Sequence, residues 1–167
     1  IVTVNPTPRI YPIPVNTIQC DSTTTNIQLQ SPSTFTSGLI TFKYTATTTG
    51  SVTGFDASEI NLPNSFIITD NLINHTDHFQ VVTYIIVPVS PTGCSDGPAQ
   101  TVTVTVNPTP KVVPLIAADR ICFGGSTNIT LTTPTVMTSG AIRFNYTVSV
   151  TGGPGIVVGN TTPGNNL

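Results

Sequence analysis

The chain has 167 residues, 38% of them hydrophobic and only 7% charged, with a formal net charge of −2 and no tryptophan. Five scattered Lys and Arg residues cannot neutralise a run of phosphates, which excludes nucleic acid as a partner and argues equally against an anionic lipid surface. No apolar run approaches the roughly 20 residues that a membrane-crossing helix needs, so no direct membrane insertion is expected.

Taken in chain order, short strands are predicted at 10–15 and at 26–30, the second with Ile27 and Leu29 turned inward. From Leu39 to Thr47 the alternation is clean, with Ile40, Phe42, Tyr44 and Ala46 on one face and Thr41, Lys43 and Thr45 on the other. Further strands fit 65–69 and 72–75. Between Phe79 and Val89, apolar residues Val81, Val82, Ile85, Ile86 and Val87 occupy both faces, which predicts a central strand. Tyr84 within it is expected to be a buried ring with a bonded hydroxyl. Thr101 to Val106 points Val102, Val104 and Val106 inward. Pro32, Thr36-Ser37-Gly38, Gly50, Gly54, Pro63-Asn64, Pro91-Thr92-Gly93 and Gly97-Pro98 punctuate these runs, and no helical stripe occurs. About seven short strands in about 100 residues predict an all-β, immunoglobulin-like sandwich of two antiparallel sheets, without the Cys-Trp-Cys signature of antibody domains.

The segment VTVNPTP occurs at Val2 to Pro8 and again at Val104 to Pro110, an offset of 102 positions. At the same offset Cys20 falls on Cys122, Asn26-Ile27 on Asn128-Ile129, Leu29 on Leu131 and Pro32 on Pro134. Thr36-Ser37-Gly38 falls on Thr138-Ser139-Gly140, and Ile40, Phe42 and Tyr44 on Ile142, Phe144 and Tyr146. A period of about 100 residues matches one self-sufficient domain, not a solenoid turn. The expected organisation is therefore a tandem array: 1–8 the last strand of a preceding repeat, 9–110 a complete repeat, and 111–167 the N-terminal part of the next. The joint Asn107-Pro108-Thr109-Pro110 fixes two φ angles, so successive repeats are expected to form a semi-rigid rod.

The period also organises the three cysteines. It predicts a Cys20–Cys94 disulfide tying loops at one end of the repeat, with Cys122 unpaired because its partner falls beyond Leu167. Two buried free thiols are the alternative. On the chain-entropy model, closing such a loop stabilises by roughly 4 kcal/mol, and a disulfide implies an oxidising, extracytoplasmic compartment.

Candidates for chemistry are few. His75, Asp77 and His78 could supply three zinc ligands, and Asp56, Glu59 and Asp70 could supply oxygens to calcium. The bland alternatives, a polar turn and scattered surface carboxylates, are preferred, so no metal, cofactor or catalytic residue is assigned. No nucleophile motif occurs and no enzyme activity is expected. The row Thr101, Thr103, Thr105 could meet sugars or ice, but alternate threonines ordinarily just solvate the outer face of a strand.

ICFGGST at Ile121 to Thr127, DNLIN at Asp70 to Asn74, VVTYIIVPVSPTGC at Val81 to Cys94 and VTVTVNPTP at Val102 to Pro110 together carry a resemblance. The chain resembles the PKD-like, immunoglobulin-like tandem repeats of very large Bacteroidota surface proteins, including gliding adhesins exported by type IX secretion. In the complete repeat Cys20-Asp21-Ser22-Thr23 stands where the other copy has Cys122-Phe123-Gly124-Gly125, so the glycine turn is lost there. The resemblance implies a secreted stalk or adhesin attached to the outer surface of the cell. It also implies Ser22, in Asp21-Ser22-Thr23, as a candidate O-glycosylation site. Sequons at Asn74, Asn128, Asn145 and Asn160 read as chance in a threonine-rich chain. The implied partners are neighbouring repeats, with surface glycans or other surface proteins bound through regions elsewhere. Two other roles compete: a subunit of a filament assembled by lateral or strand-exchange contacts, and an accessory module of a secreted enzyme.

Overall fold

The computed structural model describes residues 2–14, 16–91 and 93–150. It divides into two compact units, Ile1–Thr109 and Pro110–Leu167. No helix occurs among the described residues.

In the first unit one layer is a five-stranded sheet in the order β2-β11-β10-β5-β7, comprising β2 (Ile18–Cys20), β5 (Thr41–Thr48), β7 (Ser58–Pro63), β10 (Gln80–Val89) and β11 (Gln100–Asn107). The facing layer combines β1 (Tyr11–Pro14), β4 (Ile27–Gln30) and β8 (Ile67–Ile68) with β3 (Thr23–Thr24), β9 (Asn71–Asn74) and β6 (Val52–Thr53). The amide of Thr25 donates to the carbonyl of Asp70 at 2.8 Å, so β3–β4 and β8–β9 run on as two long, interrupted strands. Pairing is antiparallel throughout except for β2, which lies parallel to β11.

The alternation read from sequence sets the core. Phe42, Tyr44 and Ala46 of β5, Val82, Tyr84 and Ile86 of β10, and Val102, Val104 and Val106 of β11 all point inward. They meet Ile27, Leu29, Ile68 and Leu72 from the other layer, each at most 2% exposed. Each such side chain stabilises by roughly 1.5–3 kcal/mol relative to exposure. β10 is central, between β11 and β5. Its second apolar face nevertheless meets solvent, with Ile85 41% exposed, because a two-layer sandwich covers each sheet on one side only. Val2 to Pro8 forms no strand, and Val2 and Val4 are exposed.

The parallel β2 gives the unit two distinct poles. Chain entry is at one: the Pro8 carbonyl packs so closely on Gly97 that a Cβ there would collide with it, and the Gly97 amide donates to the Pro88 carbonyl at 2.9 Å. Chain exit is at the other, where Asn107 ends β11 in register with Cys20.

The second unit holds one described hairpin, β12 (Val113–Ile116) with β13 (Ile129–Thr132). Its four cross-strand pairs, Val113↔Thr132 to Ile116↔Ile129, are those of β1 with β4, Tyr11↔Gln30 to Pro14↔Ile27, moved by the sequence offset. The bond from the Arg9 amide to Ser33 Oγ (3.0 Å) recurs as Lys111 amide to Thr135 Oγ1 (2.9 Å). The one from the Ser33 amide to Ser31 Oγ recurs as Thr135 amide to Thr133 Oγ1. Residues 141–150, which copy much of β5, form no described strand. β5 draws its ladder bonds from β7 and β10, and their counterparts lie outside the described residues.

Candidate functional site

The most elaborate polar construction lies at the exit pole. Asn74, an inward position of β9 and only 6% exposed, donates from Nδ2 to the carbonyls of Val106 and His78, both at 2.9 Å. Its Oδ1 accepts from the Thr76 amide at 2.9 Å. Asp21 completes the clasp. Its Oδ1 accepts from the Asn74 amide at 2.8 Å and its Oδ2 from the hydroxyl of Thr109 at 2.7 Å. The carboxylate thus fastens the proline-rich joint to the body of the repeat. Burial tends to raise the Asp21 pKa, but the hydrogen bonds from Thr109, Asn74 and Ser22 outweigh it, and the net shift is downward. A depressed carboxylate contributes stability that is present above the ordinary aspartate pKa and lost as the pH falls through the folded value. Asp21→Ala should therefore be less stable than the parent at pH 7, with the difference closing in acid; thermal melts across pH 2–7 check this.

A second polar cluster is buried between the layers. Tyr84 donates its hydroxyl to Asp70 Oδ2 at 2.7 Å, and the Asp70 amide donates to Thr25 Oγ1 at 2.8 Å, which in turn donates to the Ile68 carbonyl. The Tyr44 and Tyr84 rings stack tilted, with centroids 5.9 Å apart. Asp56 and Glu59 line the same small cleft as Asp70, so the structure brings these three carboxylates together. Burial raises the Asp70 pKa and the nearby Asp56 charge adds to this, against the lowering hydrogen bond from Tyr84. Burial and the Asp70 carboxylate likewise push the Tyr84 phenol up.

For Asp70 the sign is the reverse of that for Asp21. Stability is fully present below the unfolded pKa, about 4, and is lost as the pH rises through the raised folded value. Asp70→Asn keeps an acceptor for the Asp56 amide, and its new N–H can donate to the Tyr84 oxygen once that hydroxyl turns. The variant should melt at or above the parent temperature at pH 7, and this advantage should shrink as the pH falls through the raised folded value and be gone below about 4.

The other sequence candidates are dispersed. His75 Nε2 sits 2.8 Å from Thr53 Oγ1, while the carbonyl of His78 belongs to the Asn74 clasp. Among the described residues no three His, Cys, Asp or Glu side chains could hold a metal ion. Thr101 and Thr103 are exposed, and Thr105 is half-buried beside β2. Ser22 is exposed with φ of 60°. The Asn74 sequon is buried, Asn128 and Asn145 are exposed, and Asn160 lies outside the described residues. In the joint Asn107 and Pro108 are buried, and Thr109 and Pro110 exposed.

The cysteines require a correction. Cys20, Cys94 and Cys122 are all exposed, and no disulfide joins them. Cys20 is level with Asn107 at the exit pole, whereas Cys94 lies in the loop between Val89 and Gln100 at the entry pole. The length of β11, at about 3.3 Å per residue, keeps them on the order of 20 Å apart. Disulfide-bonded Cα atoms lie within about 7 Å, so a Cys20–Cys94 bond inside one repeat is ruled out by the fold. Cys94 lies in a loop as expected, whereas Cys20 ends strand β2, whose direction the sequence does not give.

Described residues that hold no helix and whose strands build a two-layer antiparallel sandwich with one parallel edge strand define an immunoglobulin-like β protein. A family model described as PKD-like domain matches residues 17–110, and the chain belongs to that family. The class is typically extracellular, and no described helix is long and apolar enough to cross a membrane. Neither a curated protein nor a solved structure matches the chain.

Proposed function

We propose that this segment is a non-catalytic structural module of a long secreted surface protein, one of several repeats that carry a distal adhesive region away from the cell. The observation that carries the reading is the recurrence of the β1–β4 register and its flanking hydrogen bonds at β12–β13. Chance recurrence of a motif does not preserve cross-strand register; repetition of a whole domain does. The Asp21–Thr109 bond supports a spacer role, because it fixes the direction in which the chain leaves the repeat. Two edges of the sandwich, β7 and β1, are blunted against strand addition. β7 has a register shift opposite Phe42/Tyr44 and a positive φ at Asn61, and β1 carries Pro12 and Pro14. This favours a stalk over a strand-exchange filament. Under this reading Ser22, exposed at the exit pole, is the candidate glycan acceptor.

Electron microscopy of the parent protein tests the proposal. Contour length should grow by on the order of 40 Å per repeat, the span of about ten extended residues plus loops, and protease treatment of intact cells should release peptides of the segment. A compact particle, or peptides released only after lysis, would overturn it.

A further inference from the structure

Tension applied along the chain meets the first unit at its two poles, and the strands that take it up are neighbours. The chain enters past Pro8, packed on Gly97, and leaves through Asn107 to Thr109 at the opposite pole. β1 comes first, but Pro12 and Pro14 have no N–H to give the β1–β4 ladder. The load therefore passes to β2, which lies beside β11, the last strand of the unit, and runs parallel to it. A pull towards entry on β2 and towards exit on β11 is directed along both strands in opposite senses. Their hydrogen bonds are then sheared together, whereas an antiparallel hairpin pulled at its open end unzips one bond at a time. The Thr105 amide donates to the Thr17 carbonyl at 2.8 Å, and Gln19, two residues on, turns its own amide to the same side. Just past the last register pair, Cys20 with Asn107, the Thr109 hydroxyl donates to Asp21 Oδ2 at 2.7 Å. That side-chain bond lies on the same seam and adds a charge-assisted rung to it. Gln19 is buried, its Nε2 donating to the Thr24 carbonyl at 3.3 Å, and the Asp21 carboxylate also holds the Asn74 amide, so β2 is anchored to the facing layer.

We propose that the seam between β2 and β11, closed by Asp21 and Thr109, is a mechanical clamp that lets the unit bear tension between entry and exit. The inference rests on the stalk reading above and deepens it, by naming the part of the fold that resists load. Until the seam parts, β5, β7 and β10 are not in the path of the force, and extension is limited to the residues ahead of β2. Once it parts, β11 is drawn out and the core opens at Val102, Val104 and Val106, so the rest unfolds with it. Resistance to force is set by this one barrier crossing and not by the equilibrium stability of the whole unit.

Single-molecule pulling at constant force on the 167-residue chain, held at its two ends, tests the clamp. The first unit should lengthen in one step of about 300 Å, the extended length of roughly 100 residues less the folded span. Thr109→Val removes the side-chain rung and Gln19→Pro a backbone rung. Each should raise the unfolding rate under force about tenfold, the factor expected for one lost hydrogen bond. Thr109 is exposed, so its variant leaves the core intact and decides the matter should Gln19→Pro fail to fold. Ile86→Val, at a fully buried position of β10, is the control. Its melting temperature should fall by about 4–8 °C, yet its rate under force should stay within about twofold of the parent. Stepwise lengthening with no single barrier, an unchanged rate in Thr109→Val, or a larger rise in Ile86→Val than in Thr109→Val would overturn the inference. None of these outcomes touches the stalk reading, which the contour length of the parent decides.

Discussion

Asn74→Ala is expected to be among the most damaging substitutions of a polar residue in the repeat, costing on the order of 3 kcal/mol. The side chain is buried and makes four hydrogen bonds: two donated, to the carbonyls of Val106 and His78, and two accepted, from the amide and the hydroxyl of Thr76. Alanine removes the side-chain partner of the Val106 carbonyl and of the Thr76 amide, while the His78 carbonyl keeps the Thr76 hydroxyl, and each unsatisfied buried group costs about 1–3 kcal/mol. For a domain of this size the melting temperature should fall by about 15 °C. Asn74→Asp should be nearly as harmful, because it keeps the acceptor for Thr76 but cannot donate to either carbonyl. A fall of less than about 5 °C in both variants would mean that water substitutes for the side chain and that the clasp holds nothing.

Gly97→Ala is the second large effect, expected to destabilise by about 2 kcal/mol, within the range for overpacking a filled site. The added methyl would run into the carbonyl of Pro8 and the ring of Pro88, and the first is backbone that cannot rotate away. Either the Gly97 amide gives up its bond to the Pro88 carbonyl or Pro8 leaves its buried seat. Hydrogen exchange separates local from global damage. Faster exchange at Gly97, with β5 and β10 still protected, is the expected pattern. Unchanged stability and exchange would show that Pro8 is not held at this pole.

Much of the architecture is written in period-two alternation, and it is legible wherever inward positions are apolar, as in β4, β5, β10 and β11. The missed strands, β2, β3, β6 and β7, are short or mixed in character. β7 reads Ser-Glu-Ile-Asn-Leu-Pro, with a bulge that breaks its register. The Asn74 clasp was masked in a different way. Ile68, Asp70, Leu72 and Asn74 share one parity and all are buried, so the two polar members of that row announce buried hydrogen-bond networks. Their partners, however, lie as far away as Asp21 and Val106, and spacing along the chain cannot supply them. Asp70 reads beside Asp56 and Glu59 as an oxygen donor; in the structure the Tyr84 hydroxyl and the Asp56 amide bond its carboxylate. The cysteine pairing failed for a topological reason. Equal offsets identify corresponding cysteines in two copies but say nothing of which pole each occupies, and that depends on β2 running parallel to β11.

The most direct measurement is the unfolding of residues 1–110 expressed alone, compared with that of the 167-residue chain. If the first unit closes its own core, as the burial of Phe42, Tyr84 and Leu29 indicates, the excised piece should unfold in a single cooperative transition. Its midpoint should lie within about 2 °C of the corresponding transition in the longer chain. A piece that is unfolded, or a midpoint that shifts strongly when residues 111–167 are removed, would contradict an autonomous repeating unit.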